Sequence, residues 1–153
     1  MNVRVLVADD LSDNGIAVLR EAGLDVEVRT ALKGGALREA LRGVHALVVR
    51  SATKVDAAAL EGADSLRVIG RAGIGVDNVD VPAASRRGIV VMNTPSGNAV
   101  TTAEHAIALM MALARRLPQA HASVKAGRWT RTGFRGVELC GKTLGVIGLG
   151  NVG

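Results

Sequence analysis

Five short β-branched runs, each separated from the next by a helix-length segment, most constrain how this chain can fold. The runs cover residues 3–8, 25–29, 46–49, 67–69 and 89–92. Ser12 and Asp80 can cap two of the intervening helices, and Gly23 can end one of them. Strands joined through helices run parallel and are linked by crossovers. The first part of the chain is therefore predicted to be an α/β domain built on a parallel sheet.

The alternation stops at residues 93–98 (NTPSGN), where turn-forming residues predict a domain boundary. We place one domain in residues 1–97 and the beginning of a second, incomplete domain in residues 98–153. A single long helix is predicted from Thr101 to about Lys125, with Thr101 and Glu104 forming a capping box. Its middle, AIALMMALA, is apolar on every face, so we expect it to be buried on more than one side.

A glycine fingerprint occupies residues 148–153. Residues 142–147 (KTLGVI) are predicted to form a strand, followed directly by G-x-G-x-x-G at Gly148, Gly150 and Gly153. After a strand this spacing is typical of dinucleotide-binding folds, because the glycines permit a tight turn, an approaching pyrophosphate and close helix packing. A glycine-rich turn in a small domain has the same pattern. A following helix, and a ribose-binding acid about 20 positions further on, would decide between the two interpretations.

Two polar loops are predicted at the carboxyl edge of the sheet, where open α/β folds bind ligands. The loop RSATK, residues 50–54, offers a guanidinium fork, hydroxyls and an ammonium group, which suit a small anion, although a solvated loop fits equally well. The loop GRAGIGVDNVD, residues 70–80, has glycines whose backbone amides can face an anion. Asn98 could donate to the same ligand or could merely stabilise a turn beside Gly97.

Charge and composition exclude several classes of function. The net charge is +5, but the excess lies after residue 104, where seven basic residues face one acidic residue. Trp129 and Phe134 are the two aromatic residues, so a basic nucleic-acid binder is the weakest interpretation. The apolar run 106–114 is too short to span a membrane, which requires about 20 residues. The single cysteine, Cys140, and an N-terminus unlike a signal peptide indicate a cytoplasmic protein, and the histidines lack metal-ligand spacing.

Four segments, in order, resemble the D-isomer-specific 2-hydroxyacid dehydrogenases. They are VRSATKV (49–55), GRAGIGVDNVD (70–80), NTPSGNAVTTAEHAIALMMALAR (93–115) and GKTLGVIGLGNVG (141–153). The resemblance implies a flavodoxin-like, Rossmann-like substrate domain over residues 1–97 and the beginning of an NAD-binding Rossmann domain over residues 98–153. The chain is most similar to the branch of the family that oxidises 3-phosphoglycerate to 3-phosphohydroxypyruvate with NAD, the first step of serine biosynthesis.

The resemblance also assigns roles to individual residues. Substrate positions are Arg50, Ser51 and Asn98, with the backbone of Gly73 and Gly75. Cofactor positions are Ile74, Thr102, Gly148, Gly150, Asn151, Val152 and Gly153. The family's catalytic Arg, Glu and His have no counterpart in this sequence, so the 153-residue chain is expected to be inactive by itself. The apolar helix around residues 103–115 resembles a dimer-contact helix, which implies a homo-oligomer.

Two alternatives remain open at this point. Hydroxypyruvate and glyoxylate reductases of the same family share the glycine loop and the fingerprint, and the segment RSATK is what favours a phosphorylated acid. A free-standing anion-binding module without catalysis would also keep the site at Arg50. NAD and NADP are not distinguished, because the residue that decides between them lies about 20 positions beyond the fingerprint.

Overall fold

A five-stranded, fully parallel sheet forms the centre of the chain up to Gly97. The computed structural model describes residues 2–153. The strand order is β2-β1-β3-β4-β5, which is the order of flavodoxin-like folds. The strands are β1 (Arg4–Val7), β2 (Asp25–Val28), β3 (Ala46–Val49), β4 (Val68–Arg71) and β5 (Val90–Asn93). The prediction of a parallel α/β fold is confirmed.

Four helices connect these strands, namely α1 (Asp13–Glu21), α2 (Gly35–Ala40), α3 (Ala57–Leu60) and α4 (Val81–Arg86). Three of these helices, α1, α3 and α4, begin with a side-chain cap. The Ser12 hydroxyl accepts the Gly15 amide at the beginning of α1, and the Asp80 carboxylate accepts the Ala83 amide at the beginning of α4. Gly23 follows α1 with a φ of 78°, a conformation that favours glycine. These caps agree with the sequence-based prediction.

The core lies under the three central strands. Leu6, Leu47 and Ile69 come from β1, β3 and β4 and are fully buried, as are Leu37 and Leu60 from the helices. The edge strands are more exposed, with Val28 on β2 and Val90 on β5 open to solvent. Burial at the centre fixes the register of β1, β3 and β4, because a one-residue slip would expose their apolar side chains. The carboxyl ends of these strands are therefore held side by side.

The second unit, from Asn98 to Gly153, contains two helices where one was predicted. Helix α5 covers Ala99–Ala114 and helix α6 covers Leu117–Lys125. The prediction of a single helix is wrong, because Pro118 has no N–H to donate to the Ala114 carbonyl. That carbonyl instead accepts the Val137 amide at 2.8 Å. Arg116 makes the break with a φ of 52°.

The start of α5 also differs from the prediction. The helix begins at Ala99, so Thr101 lies within the first turn and does not form a capping box with Glu104. The hydroxyls of Thr101 and Thr102 donate to the Asn98 carbonyl at 3.1 and 2.7 Å. The AIALMMALA segment is exposed in the single chain, since α5 has no buried residue, so its burial on more than one side stays a prediction that requires a partner.

The strand predicted at residues 142–147 is not formed. Leu144, Val146 and Ile147 are exposed, and the residues from Asn98 onward contain no strand with which the segment could pair. A strand depends on hydrogen bonds to a neighbouring strand, so a favourable local sequence is insufficient. No helix in residues 2–153 is long and apolar enough to cross a membrane.

Candidate anion-binding site

The crevice between β1 and β3 is the topological switch point of the sheet. From β1 the chain proceeds to β2 on one side, whereas β3 leads to β4 on the other. Open α/β sheets bind ligands at such a point, outside the carboxyl ends of the strands. Asp9 and Asp10 follow β1, and Arg50 and Ser51 follow β3. The Arg50 guanidinium donates to the Asp10 carbonyl at 3.3 Å, so the two loops meet at this edge.

Arg50 and Ser51 are both exposed at this edge of the sheet. No carboxylate within residues 2–153 forms an ion pair with the Arg50 guanidinium. An exposed guanidinium without a carboxylate partner is available to an incoming anion. Thr53 is different, because its side chain is buried and its hydroxyl donates to Asp9 Oδ1 at 2.6 Å. The expectation that Thr53 offers a hydroxyl to the ligand is therefore wrong.

The glycine loop lies beside this segment at the end of β4. The Ala72 amide donates to the Val49 carbonyl at 2.8 Å and the Gly73 carbonyl accepts the Thr94 amide at 3.0 Å, which anchors the loop to its neighbours. The amides of Ile74 and Gly75 donate to no acceptor in the described part of the chain. The Gly73 amide is already used, since it donates to the Arg71 carbonyl. Two adjacent free amides can bind an anion.

Arg71 is a functional candidate that the sequence analysis missed. A Cβ atom at Gly73 would overlap the Arg71 guanidinium, which shows that this group lies directly over the glycine loop. Its Nε is buried and has no hydrogen-bond partner, and no carboxylate within residues 2–153 pairs with it. Register places Arg71 opposite Val49, next to the Arg50 loop. A charged residue at the end of a buried strand was the signal that could have found it.

Asp9 is a buried carboxylate beneath the Arg50 loop. Its residue is 5% exposed, and Oδ2 accepts the Arg50 amide at 2.6 Å and the Thr53 amide at 3.2 Å. Burial alone would raise the pKa of Asp9, but the hydrogen bonds from the Thr53 hydroxyl and from the backbone amides outweigh it. The pKa of Asp9 therefore lies below its ordinary value of 3.8, and the group is ionised at neutral pH.

The glycine fingerprint forms a tight turn in the second unit. Gly148 has a φ of 95°, and a Cβ atom at Gly153 would overlap the Gly148 carbonyl. The left-handed backbone at Gly148 fits the first role in a dinucleotide-binding turn, and Gly153 leaves no room for a side chain beside Gly148. The turn borders a groove of about 550 Å³ between α5 and residues 144–153. Thr102 is a poorer candidate, because its hydroxyl is used within the helix.

Comparison with known proteins decides the family. The model described as "D-isomer specific 2-hydroxyacid dehydrogenase, catalytic domain" matches residues 5–143. The chain belongs to this family. The D-3-phosphoglycerate dehydrogenase of Archaeoglobus fulgidus is 55% identical over 151 residues, which are 99% of this chain and 29% of that protein. The chain thus spans less than a third of the length of this relative.

The fold of the chain is similar to that of solved structures. A protein of Thermus thermophilus superimposes with a TM-score of 0.90 at 35% identity, covering 98% of this chain and 50% of the other. The NAD⁺-bound 3-phosphoglycerate dehydrogenase of Entamoeba histolytica superimposes with a TM-score of 0.79 at 29% identity. The superposition covers 99% of this chain and 48% of that one.

The structure brings together four of the five predicted substrate positions of this chain. The Asn78 side chain donates to the Arg50 carbonyl and so joins the glycine loop to the Arg50 loop. Gly73 and Gly75 lie on that same glycine loop. Asn98 lies in the second unit, where it precedes α5 without capping the helix through its side chain.

Proposed function

We propose that this chain is the substrate-binding part, with the beginning of the NAD-binding part, of a dehydrogenase that oxidises 3-phosphoglycerate to 3-phosphohydroxypyruvate. The observation that carries the proposal is a pair of guanidinium groups, Arg50 and Arg71, which have no carboxylate partner within residues 2–153. They lie on neighbouring strand ends, beside amides of Ile74 and Gly75 that donate to no acceptor in the same residues. The names of the curated relatives support the same substrate.

Two separate cationic groups suit a substrate with two anionic groups. 3-Phosphoglycerate carries a phosphate and a carboxylate, and each can accept a bidentate pair of hydrogen bonds from a guanidinium. The free amides of Ile74 and Gly75 add two donors that are fixed by the backbone. Glyoxylate and hydroxypyruvate carry one carboxylate and no phosphate, so they would leave one guanidinium unused. The phosphorylated acid is therefore the better match.

NAD supplies the hydride acceptor when it is bound. The backbone at Gly148, Gly150 and Gly153 would receive its pyrophosphate, because glycine lets the phosphate approach the amides closely. Asn151 and Val152 lie within the same turn, and Ile74 would contact the nicotinamide side. Thr102 remains the weakest of the assigned cofactor positions. The chain's own contribution is binding and orientation, since the family's catalytic Arg, Glu and His have no counterpart in this sequence.

We place the protein in the cytoplasm as a homo-oligomer. Cys140 is an exposed free thiol, as is usual in a reducing compartment. Ile107, Leu109 and Leu113 are exposed along α5. A second copy of the chain that covers these side chains would remove apolar surface from water.

A binding titration tests the proposed substrate. We expect 3-phosphoglycerate to bind the chain more tightly than glyoxylate does, and Arg50→Ala to weaken 3-phosphoglycerate binding by about 10- to 100-fold, the value of a hydrogen bond to a charged group. Arg20→Ala is the matched control, because Arg20 is an exposed arginine without an ion-pair partner on α1. Equal effects of the two substitutions would refute the proposal, and preference for glyoxylate would favour a reductase of the same family.

A further inference from the structure

The ends of the Arg50 loop are held by two side chains from other parts of the sheet. Asp9, after β1, binds the amide groups of residues 50 and 53, and Asn78, after β4, binds their carbonyl groups. All four backbone groups at the two ends of the loop are thus engaged. Ser51, between them, makes no hydrogen bond to the described part of the chain.

Two of the Asp9 contacts are short, and the contacts with Thr53 are buried. The distance from the Arg50 amide to Asp9 Oδ2 is 2.6 Å, and the distance from the Thr53 hydroxyl to Asp9 Oδ1 is also 2.6 Å. Asp9 is 5% exposed and Thr53 is 2% exposed, so the bonds between these two residues are shielded from water, whereas the bond from the Arg50 amide is partly buried. Hydrogen bonds to an ionised acceptor in such surroundings are among the stronger ones in proteins.

Asn78 completes the arrangement from the glycine loop. Its Nδ2 donates to the carbonyl groups of Arg50 and Thr53, both at 2.7 Å. Its Oδ1 is buried and has no partner within residues 2–153. A buried acceptor without a partner, such as this oxygen, destabilises the folded chain. Asn78 therefore stabilises the loop through the two bonds that its Nδ2 donates. The opposite orientation of the amide would direct Oδ1 at two carbonyl oxygens and is excluded by repulsion.

We infer that Asp9 and Asn78 are positioning residues that fix the backbone from which Arg50 and Ser51 reach the substrate anion. The inference rests on the proposed function, because it concerns the same anion site. Neither side chain needs to contact the anion. Asp9 is itself an anion close to the site, so its net effect through charge alone would be to weaken anion binding. What Asp9 contributes to the site is therefore the geometry it imposes on the loop.

Paired substitutions at Asp9 separate geometry from charge. In Asp9→Asn, the remaining amide oxygen can accept the Arg50 and Thr53 amides, and the Thr53 hydroxyl can turn to the Ala8 carbonyl, which already lies at 3.2 Å. Asp9→Ala removes the acceptors altogether. We expect Asp9→Ala to weaken 3-phosphoglycerate binding about tenfold, roughly one charge-assisted hydrogen bond, and Asp9→Asn to retain binding. Equal tightening by both substitutions would show that Asp9 acts only as a charge.

Asn78→Ala provides a second variant that does not disturb the buried carboxylate. We expect it to weaken 3-phosphoglycerate binding about tenfold as well, because it frees the carbonyl side of the loop. Asp56→Asn is the matched control for Asp9→Asn, since the Asp56 carboxylate also accepts a backbone amide, but at the start of α3 and not from residues 50–53. Affinities are measured on the folded fraction, which circular dichroism and thermal unfolding establish for each variant.

The outcomes distinguish this inference from the proposed function. If the wild-type chain binds no 3-phosphoglycerate, or if Arg50→Ala has no effect, the proposed function and the inference both fail. If Arg50→Ala weakens binding while Asp9→Ala and Asn78→Ala bind as the wild type does, the inference alone is overturned. Weakening by Asp9→Ala and Asn78→Ala, with binding retained in Asp9→Asn and Asp56→Asn, supports it.

Discussion

At the scale of single residues, Asp9 combines burial with a pKa below 3.8. Burial opposes ionisation, and the Thr53 hydroxyl with the amides of the Arg50 loop reverses that effect. A carboxylate whose pKa is lower in the folded state contributes stability above its unfolded pKa. That contribution disappears as the pH falls through the folded pKa. The loop that presents Arg50 is thus coupled to the ionisation of one buried group.

The stability of the wild-type chain relative to Asp9→Asn should therefore depend on pH. We expect the wild type to lose its advantage in the free energy of unfolding as the pH falls below 3.8, because the carboxylate becomes protonated there while the asparagine does not titrate. Urea unfolding of both proteins at about pH 7, 4 and 3 measures the difference. A difference that is constant over this range would contradict the account of Asp9.

At the scale of secondary structure elements, the sheet could be predicted from the sequence and the second unit could not. The five strands and their helix caps follow from local patterns, such as the Asp80 cap before Pro82. The prediction of a strand at residues 142–147 is wrong, because a strand needs a neighbouring strand to pair with, and the local sequence does not reveal whether one is present. The break between α5 and α6 was missed because the helix-forming pattern continues past Pro118.

The candidate anion-binding site could be predicted only in part from the sequence. The exposed Arg50 and the glycine loop were found because a parallel sheet places strand ends at one edge. Arg71 was missed, since its position over Gly73 depends on the conformation of the folded loop. Asp9 was missed because its partner Arg50 is 41 residues away along the chain. Contacts of that kind arise from the strand order, which the residue pattern alone does not specify.

The helix break offers a test at the level of the element. Arg116 has a φ of 52°, which is unfavourable for a residue with a Cβ atom. We expect Arg116→Gly to stabilise the second unit by about 1 kcal/mol, because glycine adopts this conformation without that strain. The measurement is thermal or urea unfolding followed by helical circular dichroism. Arg115→Gly is the control, since Arg115 has a φ of −100° and should gain nothing; an equal gain there would contradict the prediction.

At the scale of the whole molecule, α5 is an apolar helix that the single chain leaves uncovered. Its apolar residues are suited to burial, yet they are exposed in this chain, Leu113 at 79%. Apolar surface of this kind is typical of a face that another chain covers. We therefore expect the chain to self-associate as its concentration increases.

Leu113→Glu should weaken that self-association by about 10- to 150-fold, because it removes the burial of a leucine side chain, about 1.5–3 kcal/mol. Sedimentation velocity over a range of concentrations measures the effect. Val18→Glu is the matched control, since Val18 is an exposed apolar residue on α1. A wild-type chain that remains monomeric at high concentration would contradict the proposed role of α5.

The most direct test of the central claim is to locate 3-phosphoglycerate on the chain by nuclear magnetic resonance. The claim is that the carboxyl edge of the sheet binds this anion through Arg50, Arg71 and the free amides of the glycine loop. On titration into ¹⁵N-labelled protein, we expect the largest amide shift changes at Ser51, Ile74 and Gly75. Largest changes elsewhere in the chain, or none at saturating ligand, would contradict it.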